Sequence, residues 1–581
     1  MISKMARMLP RPRIPLALAA SVAALSFALC SCAQPDGVPA GDRAAAAAAA
    51  DGGAPRMTQQ SLNSRPRDQL RRGGTLNWAI DQFSGQWNPL HTDGSEASTN
   101  DVMKSLLPTF WRSDAGGTQT PNPAYLRDVR TETRQGRQVV VWTLNPKAHW
   151  SDGKPITWRD LQATWQALNG TDDAYKPSNT SGFDQVESVT RGADDFQAVM
   201  VFKEPFSDWQ AMFNNAGNAP LLPAEYISGP EQFNTAFKGR IPVTAGPFKL
   251  ERLDPAARTV TVVADPDWWG DKPMLDRIVF KAIDTGAMPD AFARGEVDFY
   301  NNGPNAAGYK KIQETPGAEV RKAGGPNLRH IVLNGRNPLL TDARVRQALF
   351  RALDRSEITR TDLAGLDWPY VPMNNHFLVP GQHGYQDNSD GLSRFDPQAA
   401  AQQLDEAGWK AGPAGVRIRE GKELALRFVV PTGNQVAANE STLVTRMLGQ
   451  VGVKVTVQAV PAADFFDKYV YKHDFDLTAF ALLGTPFPAT GSTSTFQQDA
   501  GGNYAQVGSK ALDKAMADAA RADTPDAATE AINRADAEAW EVAGMVPLYQ
   551  RPAIYGVRKN VANLGAPGLS DFVYENIGLL K

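Results

Sequence analysis

The stretch ELALRFVVPTGNQVAANESTLVTRMLGQVGVKVTVQAV, residues 423–460, decides the fold. Residues 423–430 form an apolar, β-prone run, and residues 436–450 read as a helix. Val453-Lys454-Val455-Thr456-Val457 then alternates as a strand does. A further buried strand is expected over 474–482, where Asp474-Phe475-Asp476-Leu477 opens an apolar run. Strand, helix and strand in this order imply crossover connections, which set neighbouring strands parallel. The expected class is therefore α/β with a mostly parallel sheet.

The same punctuation continues outward. Residues 342–353 carry Val345, Leu349 and Leu353 at helical spacing. Asp396-Pro397 supplies an N-cap with proline at the first helical position, and Gly408 ends that helix. Toward the N-terminus the chain is richer in strands. Gly74-Thr75-Leu76-Asn77-Trp78-Ala79-Ile80 opens the body and leads to a turn at Trp87-Asn88-Pro89. Val139-Val140-Val141-Trp142-Thr143-Leu144 and Ala198-Val199-Met200-Val201-Phe202 read as strands. Between them Ser151-Asp152-Gly153-Lys154-Pro155 is a turn, and a helix runs from Thr157 to about Leu168. Near the end, Val546-Pro547-Leu548-Tyr549 and Ala553-Ile554-Tyr555 are expected as two returning strands. No internal repeat of solenoid length is present.

The first 31 residues read as an export signal. Lys4, Arg7, Arg11 and Arg13 form a basic region without an acid, followed by an apolar run over 14–29 too short to span a membrane. The run ends at Leu29-Cys30-Ser31-Cys32, which resembles a bacterial lipobox: cleavage before Cys32 and a diacylglyceryl group on its sulfur. The alternative is an ordinary signal with two incidental cysteines. Cys30 and Cys32 are the only cysteines in 581 residues, so no disulfide framework accounts for them. Each buried methylene is worth about 0.8 kcal/mol, so two or more acyl chains hold a soluble body at a membrane durably. Residues 32–72, with the alanine run 44–50, lack the apolar pattern of a core and are expected to form a tether. The remaining body of about 510 residues is too long for one core. Without the signal's four basic residues, 56 Lys and Arg face 63 Asp and Glu, a net charge of −7. That balance argues against nucleic acid as a partner. No later stretch is apolar enough to cross a membrane.

Several short motifs follow one another in a telling order. They are Gly74-Thr75-Leu76, Trp150-Ser151-Asp152-Gly153-Lys154-Pro155-Ile156-Thr157, Ala245-Gly246-Pro247-Phe248 and Ala264-Asp265-Pro266-Asp267-Trp268-Trp269-Gly270. Pro273, Leu275-Asp276 and Arg294-Gly295-Glu296-Val297-Asp298 come next. Val345-Arg346-Gln347-Ala348-Leu349, Ala352-Leu353-Asp354-Arg355, Phe395-Asp396-Pro397 and Ala407-Gly408-Trp409 complete the series. Each fragment is weak alone, but the ordered set resembles the family 5 extracellular solute-binding proteins of ABC importers, the oligopeptide- and dipeptide-binding group. Asn374-Asn375-His376 and Gly384-Tyr385-Gln386-Asp387-Asn388-Ser389 are similar to stretches of its actinobacterial oligopeptide-binding lipoproteins.

The resemblance implies a two-lobed class II periplasmic-binding-protein-like fold with a hinged ligand cleft. Lobe I would comprise residues 73–98, 216–325 and 546–581, with an inserted subdomain over 99–215 and lobe II over 326–545. It implies a lipid-anchored, extracytoplasmic, monomeric protein that delivers a small solute, a peptide above all, to an ABC permease. It implies no enzyme activity, metal or cofactor.

Candidate cleft residues come from loops the pattern places there: Phe83, Gln86 and Trp87 after the first strand; Asn374, Asn375 and His376; and Leu483, Gly484, Thr485 and Phe487. Aromatics give apolar area, while amides and an imidazole direct hydrogen bonds. The bland alternatives are Trp87 as core and His376 as a loop tie. On the cleft reading, replacing Trp87 or His376 weakens binding without unfolding. Peptide-binding relatives commonly carry an aspartate, aligned here with Thr485, that pairs with the peptide amino terminus. Threonine cannot neutralise a buried ammonium, so a free peptide requires Asp81 or another acid in its place. A blocked peptide, an amide-rich metabolite, a sugar or a glycolipid headgroup are the other ligand classes.

Two rival functions stand beside import. A secreted hydrolase lacks local support: the six histidines (91, 149, 330, 376, 383 and 473) show no His-Glu-x-x-His spacing, and no Gly-x-Ser-x-Gly elbow or phosphate loop is present. The acidic run 387–391 fails the EF-hand spacing and reads as a solvated turn. A regulator of envelope assembly that binds a cell-wall precursor or a protein partner on the same scaffold is the second rival, which fold alone cannot separate from import.

Overall fold

Ten strands form one continuous sheet in the computed structural model, which describes residues 57–581 apart from Ser181 and Asn218. In chain order they are β1 (Thr75–Ile80), β2 (Phe248–Asp254), β3 (Thr259–Ala264), β4 (Arg277–Ala282), β5 (Phe299–Asn301), β6 (Ala318–Leu333), β7 (Ala425–Pro431), β8 (Lys454–Val460), β9 (Leu477–Leu482) and β10 (Met545–Arg558). Across the sheet they run β8-β7-β9-β6-β10-β5-β1-β4-β3-β2. Seven helices bear on the site: α1 (Ala97–Met103), α2 (Trp158–Leu168), α3 (Arg355–Asp362), α4 (Gln435–Gln450), α5 (Pro488–Phe496), α6 (Lys510–Ala520) and α7 (Pro525–Val542).

The unit β7–α4–β8 forms as its pattern predicts. The Asn434 side chain accepts a hydrogen bond from the Ala437 amide to cap α4, and β7 pairs parallel with β8 and β9. The sheet as a whole is mixed rather than mostly parallel. β6 is antiparallel to β9 and β10, β10 to β5, and β3 to both its neighbours, while β1 is parallel to β4 and β5. The cause is the long central pair, β6 with 16 residues and β10 with 14. The two strands expected near the C-terminus are one strand, β10, which carries Pro547 and Pro552 within it. Ladder register shifts between Gly324 and Leu328 and again at Arg329/His330. Bulges of this kind are where a sheet tolerates glycine and proline.

β6 and β10 join two halves with separate cores. The first core contains Leu76, Trp78, Trp87 and Phe280. It extends to Val140, Trp142 and Leu161, the inner faces of a four-stranded antiparallel sheet (residues 126–202) and of α2. A full capping box at Thr157 and Asp160 starts α2. In the second half, side chains alternate between two clusters on opposite faces of the sheet. Ile331, Leu333, Phe428 and Val430 face one cluster; Val332, Val429 and Phe480 face the other.

The signal, Cys32 and the first part of the expected tether lie outside the described residues. Its last part is not a tether. Met57 and Leu70 are buried, Ser61 bridges Ala566, and Leu70–Arg71 pairs antiparallel with Leu579 and Leu580. The buried Arg321 guanidinium donates to the Leu62 and Leu564 carbonyls, tying this arm to the C-terminal segment. Main-chain pairing and two anchors hold it, which an apolar periodicity does not report. Among the described residues, no helix is long and apolar enough to cross a membrane.

Candidate functional site

A cavity of about 300 Å³ lies where the two halves meet. The first half contributes Asp101 of α1, Lys104 just after it, and Asn301 and Gly303 at the end of β5. The bulge of β6 adds Gly325, Pro326 and Asn327, and β10 adds Arg551, Ala553 and Tyr555. Gly484 and Pro486, beyond β9, close one side, and the segment 567–572 closes another. Backbone packs very closely here. A Cβ on Gly484 would sit 2.1 Å from the Pro326 carbonyl oxygen, and one on Gly568 (φ +70°) 1.9 Å from that of Gln59. Tyr555 stacks on Phe299 with ring centroids 5.0 Å apart, and Phe572 meets Trp78 edge-on at 5.6 Å, giving an aromatic floor.

The halves are latched around this space. The Asp208 carboxylate accepts hydrogen bonds from the Thr490 amide (2.7 Å) and hydroxyl (2.9 Å) in the first turn of α5. Beside it the Ser207 amide donates to the Ala520 carbonyl (2.7 Å), and its hydroxyl to the Ala519 carbonyl (2.8 Å) at the end of α6. Burial raises the Asp208 carboxyl above its ordinary range, and the Thr490 amide works against that shift.

Four charged side chains line the cavity. Lys104 and Asp571 neutralise each other at 2.9 Å. The Asp101 carboxylate and the Arg551 guanidinium make no hydrogen bond or ion pair among the described residues. Burial pushes Asp101 up to about 7, with Lys104 opposing and Asp81 reinforcing. Burial likewise lowers Arg551.

The loop residues singled out in the sequence are distributed differently. Trp87 is 0% exposed in the core of the first half, with Phe83 packed edge-on against it, and Gln86 is pinned to the Asn234 carbonyl. None of the three lines the cavity, because the turn folds inward to fill the core. Asn375 and His376 are interior as well. His376 donates its amide to Asp536, sets Nδ1 against the same carboxylate at 2.7 Å and places Nε2 2.8 Å from the Met545 carbonyl. Asn375 accepts from the Phe377 and Leu378 amides, and Asn374 joins Arg355 to Asp387. Asn375 and His376 thus hold a buried loop in place. Gly484 lines the cavity, while Leu483, Thr485 and Phe487 line a smaller one of about 60 Å³ beside it, together with His376. Leu483 is 81% exposed. The Thr485 hydroxyl accepts from the Phe487 amide at 3.2 Å, so it turns the loop. Asp81 is exposed and accepts from the Ser98 hydroxyl, outside the cavity lining. The sequence reading missed Asp101, Lys104, Arg551 and Asp571. Only Arg551, a charge inside an apolar strand pattern, left a local signal.

Residues 120–504 match the profile of the bacterial extracellular solute-binding proteins, family 5. The chain belongs to this family. The oligopeptide-binding protein OppA of Mycobacterium tuberculosis is 35% identical over 531 residues, covering 90% of this chain and 88% of that protein. The oligopeptide-binding protein AppA of Bacillus subtilis is 26% identical over 378 residues, 63% of this chain and 67% of that protein. Among solved structures, the periplasmic EDTA-binding protein EppA superposes with a TM-score of 0.81 at 24% identity, covering 91% of this chain and all of that one. AppA from Bacillus subtilis in complex with a nonapeptide gives 0.71 at 21% identity, with 88% of this chain and 100% of that one covered. The two-lobed fold is thus that of a family 5 solute-binding protein, an extracytoplasmic carrier of ABC importers and not an enzyme.

Proposed function

We propose that this solute-binding protein captures peptides outside the cell, as a monomer held to the membrane by a lipid on Cys32, and passes them to an ABC permease. Lobe I in this reading comprises residues 73–98, 216–325 and 546–581 with 99–215 inserted, and lobe II residues 326–545. The observation that carries the reading is the cavity of about 300 Å³ built jointly by both halves, which the Asp208–Thr490 contact links. A ligand there gains contacts from both lobes only when they close, so binding itself shifts the population toward closure. The permease can then tell loaded from empty protein. Two cationic and two anionic side chains in the lining suit a ligand that carries both charges. The names of the mycobacterial and bacillar relatives support a peptide as that ligand.

The test is uptake. Deleting the gene should abolish import of labelled short peptides, and the wild-type chain should restore it. Unimpaired uptake in the deletion strain, with an envelope defect instead, would favour a regulator of the cell envelope. Cys32→Ser should move the protein from the membrane fraction to the medium, and its retention would remove the lipid anchor from the reading.

A further inference from the structure

We propose that the cavity selects free, zwitterionic peptides of about three or four residues, with the α-ammonium at Asp101 and the α-carboxylate at Arg551. The inference rests on the peptide reading above and adds polarity and length to it.

The geometry comes from β10. Residues 551, 553 and 555 alternate onto one face of the strand, and all three line the cavity. Four residues of strand separate the Arg551 and Tyr555 positions by about 13 Å. Asp101 belongs to the Tyr555 end. Its charge acts directly on the Tyr555 and Tyr574 hydroxyls, and the Tyr574 hydroxyl donates to its carbonyl at 2.8 Å. Arg551 enters the lining four residues along β10 from Tyr555, with its Nη2 beside Gly303. An extended peptide advances about 3.3–3.6 Å per residue, so three or four residues cover the interval.

The electrostatics agree with the spacing. Lys104 and Asp571 cancel each other, leaving one half-buried carboxylate and one half-buried guanidinium without a partner among the described residues of the lining. Unpaired charge out of water is costly, and a zwitterion satisfies both ends at once. The ammonium partner thus comes from α1 in the first half, whereas the position aligned with the relatives' aspartate holds Thr485, whose hydroxyl is committed to the Phe487 amide. Burial holds Asp101 near pH 7, a cost that a bound ammonium would reverse.

The experiment is calorimetric titration of the full chain with tri- and tetra-alanine, their N-acetylated forms and their C-amidated forms, repeated on Asp101→Asn and Arg551→Gln. Acetylation should weaken binding to the wild type about ten-fold or more and to Asp101→Asn hardly at all. Amidation should behave in the same way toward Arg551→Gln. Blocked peptides that bind the wild type as well as free ones would overturn the end assignment and leave the peptide reading standing, whether or not the variants fold. Equal losses on blocking in wild type and variants would also overturn it. If no peptide bound at millimolar concentration while a glycan or lipid headgroup did, both readings would fall together.

Discussion

Asp101 ties the site to pH. Its carboxyl, ordinarily at 3.8, is raised by burial to about 7; Lys104 pulls the other way, Asp81 adds to the shift, and Tyr555 and Tyr574 face it as hydroxyls. Above about 7 it is a carboxylate and can pair with an ammonium; below, it is neutral. Affinity for a free tripeptide should therefore fall as pH drops from 8 to 6, and Asp101→Asn should flatten that slope; a flat wild-type profile would contradict the assignment. The ligand-free protein should respond oppositely. A carboxyl raised on folding favours its protonated form, so stability is lost as pH rises from about 4 to 7. His376 is a residue of another kind. With both ring nitrogens engaged by Asp536 and Met545, His376→Ala should cost about 2–4 kcal/mol in denaturant unfolding. The folded fraction should keep its ligand affinity. The two residues show what a single sequence offers. Asn374-Asn375-His376 is a conspicuous polar cluster, yet the fold commits it to Arg355, Asp387, Asn533, Asp536 and the Met545 carbonyl. Asp101 was silent because α1 spans only seven residues and its meaning depends on β10, some 450 positions away.

Among the elements, α5 carries the latch. Asp208 satisfies the Thr490 amide in its first turn from across the cleft, a charge-assisted contact that joins the two halves. Asp208→Ala should raise the ligand dissociation rate about ten-fold with little change in association. The melting temperature of the ligand-free protein should stay where it is; a fall there would make Asp208 a fold residue instead. Behind the central strands, Arg329 of β6 grips Glu440 of α4 with two hydrogen bonds, and Tyr549 of β10 donates to Asp362 of α3. Glu440→Ala leaves that guanidinium buried without its partner and should cost about 3–5 kcal/mol, measured by urea unfolding. Legibility also varies by element. The helix Pro397–Glu406, with its cap at Asp396 and stop at Gly408, is legible from local chemistry. β6 was missed and β10 split in two because Gly324-Gly325-Pro326 and Gln550-Arg551-Pro552 break the strand pattern. What places them in strands is a ladder between segments more than 200 residues apart, with bulges at the breakers.

At the scale of the molecule, two cores joined by a long strand pair give a body that can hinge, and the ligand is what both halves share. The family was legible from many weak motifs in order, most of which are turns and caps that any protein of this fold needs. The ligand was not, because the cavity lining is drawn from segments far apart in the chain. Capture of short free peptides can be read by denaturing the full chain isolated from its own membranes and weighing what it releases by mass spectrometry. The protein should release peptides of three or four residues with free amino and carboxyl ends. A glycan, a lipid headgroup or an end-blocked compound in their place would contradict it.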